Sequence, residues 1–305
     1  IDMLNPIIVF TWATPTDNTW MSGGIFTWQI QLTESYLWEF DRWRNGTNYN
    51  LYDSGLVAMY NFDNVSVLGE NATTVKDMSQ YGNNWTISSA TYTAAGRRWW
   101  AYSFNGTNSA VTIANTWSLN LTKDKTICMW LKPSSFATRQ NPYDKAYGWE
   151  WTMTQETNWA INFYYWTNWW NWTPYSSFTS PWMTLNTRNH ICIVVDLTST
   201  NTIKWYVNLT MSQKTSEYTQ FWTSSLVTTL WNGYAWRYSW SIDELRIYNR
   251  ALSSWEITQL YKSNLSKFTW DNRLFTNSYT GLTIGIYRYS GYVADQWWNN
   301  VFTWR

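Results

Sequence analysis

The chain has 305 residues, room for two domains of ordinary size, with 13% charged residues and a net charge of +1. It carries no basic block and no acidic run, which removes any electrostatic reason to expect nucleic acid or an anionic membrane surface as a partner. No apolar run approaches the roughly 20 residues of a spanning helix, so no membrane insertion is expected in this segment. Thr, Ser, Asn, Tyr and Trp are abundant, and short alternating segments recur between Asn/Gly turns, a pattern that predicts an all-β chain from an extracellular or cell-surface protein. Ile1 follows no charged and apolar leader pattern, so the chain is expected to be a mature segment or fragment of a longer protein with further domains.

Residues 1–54 read as half of a small sandwich. Pro6-Ile7-Ile8-Val9-Phe10 is a short apolar strand. Between Ile25 and Thr33 the residues alternate, with Phe26, Trp28, Ile30 and Leu32 on one face and Thr27, Gln29 and Gln31 on the other. Phe40–Tyr52 reads as a hairpin turning at Asn45-Gly46. Three strands cannot close a sandwich by themselves.

The next two-thirds of the chain carry an ordered series of phrases. Leu56–Phe62 with Asp63 fits "hxxYxFD", and Asp77–Thr86 fits a "D-x-S-G-x-G-N-x-G-T" loop, with Gln80 and Trp85 at two of its glycines. Tyr102–Gly106, Val111–Ala114, Thr126–Pro133, His190–Asp196 and Ile203–Asn208 follow as strands, the last with Leu209 at a turn glycine. Ser239–Tyr261, SWSIDELRIYNRALSSWEITQLY, closes the series: a strand, a turn, then a helix opened by a capping box of Ser253 and Glu256. On that helix Ile257, Leu260 and Tyr261 share one face, spaced to dock on a sheet. The series resembles laminin-G-like (concanavalin A-like) jelly-roll domains, and the resemblance implies a jelly-roll sandwich over residues 55–263.

Residues 264–305 change character. Arg273-Leu274-Phe275 is a strand candidate, and Gly285–Asp295 followed by QWWNN is similar to the last strands of bacterial immunoglobulin-like domains, with Trp298 at that family's glycine. The expected fold is therefore all-β: a concanavalin A-like jelly-roll sandwich (55–263) inserted into an immunoglobulin-like β-sandwich built from 1–54 and 264–305. Insertion between close loop ends is well tolerated.

Trp outnumbers Gly by 28 to 13, an inversion of normal usage. Asn84, Asn158, Asn168 and Asn171 precede Trp in turn-like contexts where Asn45, Asn105 and Asn232 precede Gly. Turns with φ > 0 accept Gly and resist an indole. One reading is that many of these tryptophans are glycines in the living protein, specified by UGA codons; the other is an aromatic surface for stacking on sugars. Trp130, where the family also has Trp, is expected to be genuine. Trp240 stands at the family's glycine before Ser-Ile-Asp and belongs with the suspects.

Candidate chemistry is sparse. Cys128 and Cys192 lie in predicted strands, as two buried thiols or as a bridge between neighbouring strands. His190 has no accompanying nucleophile motif and reads as packed. Asp243 and Glu244 are adjacent, so a regular strand points them to opposite faces, and Glu150 and Glu156 are six apart in a loop-like region; neither pair fits two carboxyls flanking a glycosidic bond. A structural Ca²⁺ is a better fit, with Asp77 and Asn83 as oxygen ligands and Asp243 implied by the resemblance; ordinary turn capping explains the same residues. Nine Asn-x-Ser/Thr sequons arise from composition alone. For ligand contact the aromatic-rich stretch 147–175, read as a loop, stands out, with Tyr147, Tyr164, Tyr165 and Tyr175. The expected function is a non-catalytic carbohydrate-binding or adhesion module of a larger surface protein, its partner a glycan or another surface protein. A structural spacer and a carbohydrate-active enzyme are the alternatives.

Overall fold

The computed structural model describes residues 5–11, 14–15, 25–44, 47–146, 148–166, 176–230, 235, 240–280, 288–297 and 299–304. It is almost all β, with one α-helix among the described residues, and divides into two compact units. One comprises Ile1–Gly55 with Ser253–Arg305, the other Leu56–Leu252.

In the discontinuous unit the two ends of the chain share both sheets. Ile25–Thr33 pairs along its whole length with Asn272–Thr280, while Leu37–Arg44 pairs with Tyr289–Asp295. Each pairing sits at the centre of a four-stranded antiparallel sheet. The alternation read from Trp28, Ile30 and Leu32 places all three in the core, fully buried. Trp28 meets Tyr289 at 4.9 Å and Phe275 at 5.5 Å between ring centroids. The sheets approach closely at Gly291, where a Cβ would stand 2.7 Å from the Cδ1 of Ile8; only glycine fits without a shift. The Asn45-Gly46 turn, Trp298 and residues 281–287 lie outside the described residues.

A buried charge sits in the same core. The Arg42 guanidinium lies 5.0 Å from the Trp28 ring centre and donates to Gln259 Oε1 at 2.5 Å and to the Tyr279 hydroxyl. Gln259 belongs to the helix Ser254–Lys262, whose capping box forms as expected: Glu256 accepts from the Ser253 N–H while Ser253 Oγ accepts from the Glu256 N–H. The buried helix residues are Ile257 and Gln259, with Leu260 and Tyr261 only half-buried. The helix also belongs to this unit and not to the jelly roll. It packs on Thr47–Tyr52 and Asn272–Thr280, because Gln259 is the acceptor for both Arg42 and Asn277. The division between units thus falls at Ser253, eleven residues before the expected start at Asn264.

The continuous unit is a jelly-roll sandwich. Its first sheet has eight strands, in the order Ser176–Thr179, Ile161–Tyr165, Trp151–Gln155, Gln140–Lys145, Thr228–Leu230, Ala110–Ile113, Trp85–Ser88, Thr74–Val75. At the centre of the second sheet lie Asn189–Asp196, Lys125–Lys132 and Ser241–Tyr248. Alternate residues of the two sheets, among them Ile127, Met129, Ile193, Ile242, Phe163 and Tyr165, fill one apolar core. Leu56 pairs with Tyr248, so the unit begins beside the strand with which it ends.

Cys128 and Cys192 stand directly opposite each other in neighbouring strands and form a disulfide, with Cα atoms 4.1 Å apart. Of the two readings open in the sequence, the bridge is the one realised, because the register makes the two residues cross-strand partners. The hairpin that follows Val207 turns on Asn208 and Leu209, both at positive φ.

Candidate functional site

On the strand Ile161–Tyr165 the side chains alternate strictly. Ile161, Phe163 and Tyr165 enter the core, while Asn162 and Tyr164 emerge on the opposite face of the sheet, half-buried. Register extends that face into polar rows: Thr152, Tyr164 and Ser177 are cross-strand neighbours, as are Thr154, Asn162 and Thr179. Asn141, fully buried, donates to the hydroxyls of both Thr152 and Thr154.

Arg139 and Glu156 lock the exposed end of the face. The Arg139 guanidinium reaches Glu156 through Nε at 2.8 Å and Nη2 at 3.0 Å, a two-pronged pair that fixes both planes. Tyr164 donates its hydroxyl to Glu156 Oε1 at 2.9 Å and accepts from Asn162 Nδ2 at 2.9 Å and Arg139 Nη2 at 3.3 Å. Thr179 donates to Asn162 Oδ1. Burial raises the Tyr164 pKa, so the phenol stays protonated and able to donate. Donors, acceptors and one aromatic face are thus held rigidly at a sheet surface. Such a surface can exchange hydrogen bonds with a polyhydroxyl ligand and cover an apolar patch on it.

The four tyrosines flagged in the sequence separate. Tyr164 lies on the polar face. Tyr165 is wholly buried against Phe163, Phe221 and Tyr218, which removes it from any surface role; strand neighbours point to opposite sides. Tyr147 and Tyr175 lie outside the described residues. The stretch read as a loop contains two full strands, Trp151–Gln155 and Ile161–Tyr165. Arg139, Asn162 and Thr179 were not singled out in the sequence, and Glu156 was weighed there only as a hydrolytic acid paired with Glu150. The signal available was the alternation of Asn162 and Tyr164 with three apolar neighbours.

Asp77 and Asn83 form a turn latch. The Asp77 carboxylate accepts from the N–H groups of Met59, Ser79 and Asn83 and from the Ser79 hydroxyl, each at 2.8–2.9 Å. Burial pushes its pKa up, and those donors oppose the rise. Asn83 is engaged with Val57, Thr116 and Ser118. Asp243 has different partners, the N–H groups of Arg97 and Glu244. Asp77 and Asn83 share one turn, Asp243 is held by other groups, and the side-chain oxygens of all three accept hydrogen bonds from protein donors.

Asp243 and Glu244 depart from the regular strand. Trp130 pairs with Asp243 and Cys128 with Arg246, leaving Glu244 and Leu245 opposite Met129 alone, a β-bulge with Glu244 at φ 52°. The opposite-face expectation fails for that reason: both acids are buried, and Asp63 joins them. Burial and then Glu244 push the Asp63 carboxyl up to about 8. Burial, followed by Glu244, also raises Asp243. Arg246 holds Glu244 at 2.6 Å. Asp243 is 3% and Glu244 6% exposed. Glu150 is consumed elsewhere, in a buried ion pair with Lys145. His190 packs on Trp130, and burial lowers its pKa to about 3, so its ring is neutral. No helix among the described residues is long and apolar enough to cross a membrane.

Solved structures share this architecture. The binding domain of Paraclostridial Mosquitocidal Protein 1 matches with TM-score 0.55 at 15% identity, over 69% of this chain and 53% of that one. Domain 4 of AbnA, a GH43 extracellular arabinanase from Geobacillus stearothermophilus solved in complex with arabinotriose, matches with TM-score 0.53 at 18% identity, over 68% and 98%. A structure of botulinum neurotoxin type C, whose cell entry depends upon interaction with two ganglioside molecules, matches with TM-score 0.52 at 12% identity, over 68% and 51%. The chain spans about half the length of the two toxin chains. No curated protein matches the sequence. At these identities the structural likeness establishes the fold. The profile of the concanavalin A-like lectin/glucanases superfamily matches residues 105–258, just over half of the chain and most of the continuous unit. Strand order, core and profile agree, and the chain belongs to the concanavalin A-like lectin/glucanases superfamily.

Proposed function

We propose that the chain is a non-catalytic carbohydrate-binding module of an extracellular or cell-surface protein, its jelly roll set within an immunoglobulin-like sandwich, and that the glycan lies on the polar face around Tyr164. The observation that carries this reading is the locked set of Arg139, Glu156, Asn162 and Tyr164 on an otherwise regular sheet. Ordering side chains on binding costs free energy, and these four are already ordered by one another. The buried setting of Asp243 and Glu244 supports a binding role over a hydrolytic one. Likeness in fold to a domain solved with arabinotriose and to a toxin that depends on gangliosides supports a saccharide as the ligand class. Calcium has no part in the proposal. The test is a glycan array probed with the whole chain and with Tyr164→Ala. Binding that Tyr164→Ala lowers about tenfold, roughly 1.4 kcal/mol, is the expected result. Binding unchanged by the substitution, or none at all, would refute the placement.

A further inference from the structure

We propose that the residues written as Trp99, Trp117, Trp159, Trp182, Trp255 and Trp270 are glycines in the protein as its own cells make it, specified by UGA codons that those cells read as glycine. Tryptophan is ordinarily well buried in folded proteins. These six are between 50% and 79% exposed. Trp159 adopts φ 71°, a conformation that costs a bulky residue strain and costs glycine nothing. Trp270 occupies the short connection between the paired strands Ser263–Lys267 and Asn272–Thr280. Trp99 lies in the bend after Gly96, and Trp117 opens a single 3₁₀ turn.

A ligand platform would gather aromatic rings on one face. These six are spread over separate turns, loops and a helix start, four in the jelly roll and two in the discontinuous unit. Burial divides them from a second class: Trp28, Trp130, Trp151 and Trp205 lie in strands at 7% exposure or less. Trp85 and Trp240, which replace glycines of the family pattern, fall by burial into the second class, at 1% and 3%. The structure therefore narrows the glycine substitution to the exposed group. With six such positions restored, glycine would rise from 13 residues towards ordinary usage.

Peptide mass mapping of the protein purified from its own cells, with the coding sequence read alongside, tests this directly. Glycine at the six positions, UGA in the gene there, and tryptophan from UGG at Trp28, Trp130 and Trp205 is the expected result. Tryptophan at Trp159, or at most of the other five, overturns the proposal. Recombinant chains give a second readout. Trp159→Gly is expected to raise the Tm, and the variant with glycine at all six is expected to stay folded and monomeric at higher concentration. A six-glycine variant that fails to fold where the tryptophan chain folds also overturns it.

Discussion

Backbone strain and buried charge are the residue-scale features with measurable consequences. Leu209 holds φ 72° in a two-residue hairpin turn that prefers glycine. Leu209→Gly is expected to stabilise the jelly roll by about 1 kcal/mol, read from urea unfolding; a loss of stability would show that the turn carries no strain. Asp63 gives a pH signature. Its carboxyl, raised to about 8 by burial and by the neighbouring acids, holds its proton in the folded chain at pH values where an unfolded Asp, near pKa 3.9, has lost it. Between about pH 4 and 8 the folded state therefore binds more protons at this site, and stability falls as pH rises. His190 acts oppositely, with its folded value near 3 below the unfolded 6.5, but its slope halves by pH 6.5 and fades by about pH 7.5. From about pH 7 to 8, where the Asp63 slope outweighs the fading His190 one, the chain is expected to lose stability, and Asp63→Asn to remove much of that loss. An equal slope in the variant would assign it to Asp243 or another acid.

Strands and the helix show most clearly what could be read in advance. Strands with clean alternation, such as Ile25–Thr33, or a dense apolar run, such as Lys125–Lys132, stand where composition and pattern placed them, because one periodicity dominates each. The helix was marked by its cap, a local signal independent of what the helix packs on. Its docking partner was not legible, since Gln259 reads as a surface residue until Arg42, 217 residues away, supplies a buried donor. Gln259→Ala leaves Arg42 and Asn277 without that acceptor and is expected to cost about 2 kcal/mol. Calorimetry should show the loss in the transition of the discontinuous unit alone. The candidate site was half legible for a similar reason. Tyr164 stands out as an aromatic, but Arg139 and Glu156 become partners only through the strand pairing of Gln140 with Gln155. The bulge at Glu244 left no mark in the sequence, and it alone reverses the expected orientation of an acid.

At the scale of the whole molecule, the pairing of Leu56 with Tyr248 explains how one domain interrupts another: the inserted unit's first and last strands are neighbours. Residues 56–252 contain their own core and both jelly-roll sheets, and expressed alone they are expected to unfold cooperatively at a Tm close to that of the same unit in the whole chain. A broad, non-cooperative transition would show that the unit depends on the rest of the chain. Saccharide binding at the Tyr164 face is tested most directly by titration calorimetry of the intact chain, and of its Tyr164→Ala and Tyr165→Ala variants, with arabinotriose and with a ganglioside oligosaccharide. The intact chain is expected to bind at least one of these saccharides. Tyr164→Ala should lose about tenfold in affinity with an unchanged Tm, and Tyr165→Ala should lose about 3 kcal/mol or more of stability from the core. Full affinity in a folded Tyr164→Ala chain, or no binding of either saccharide by the intact chain, would contradict saccharide binding at this face.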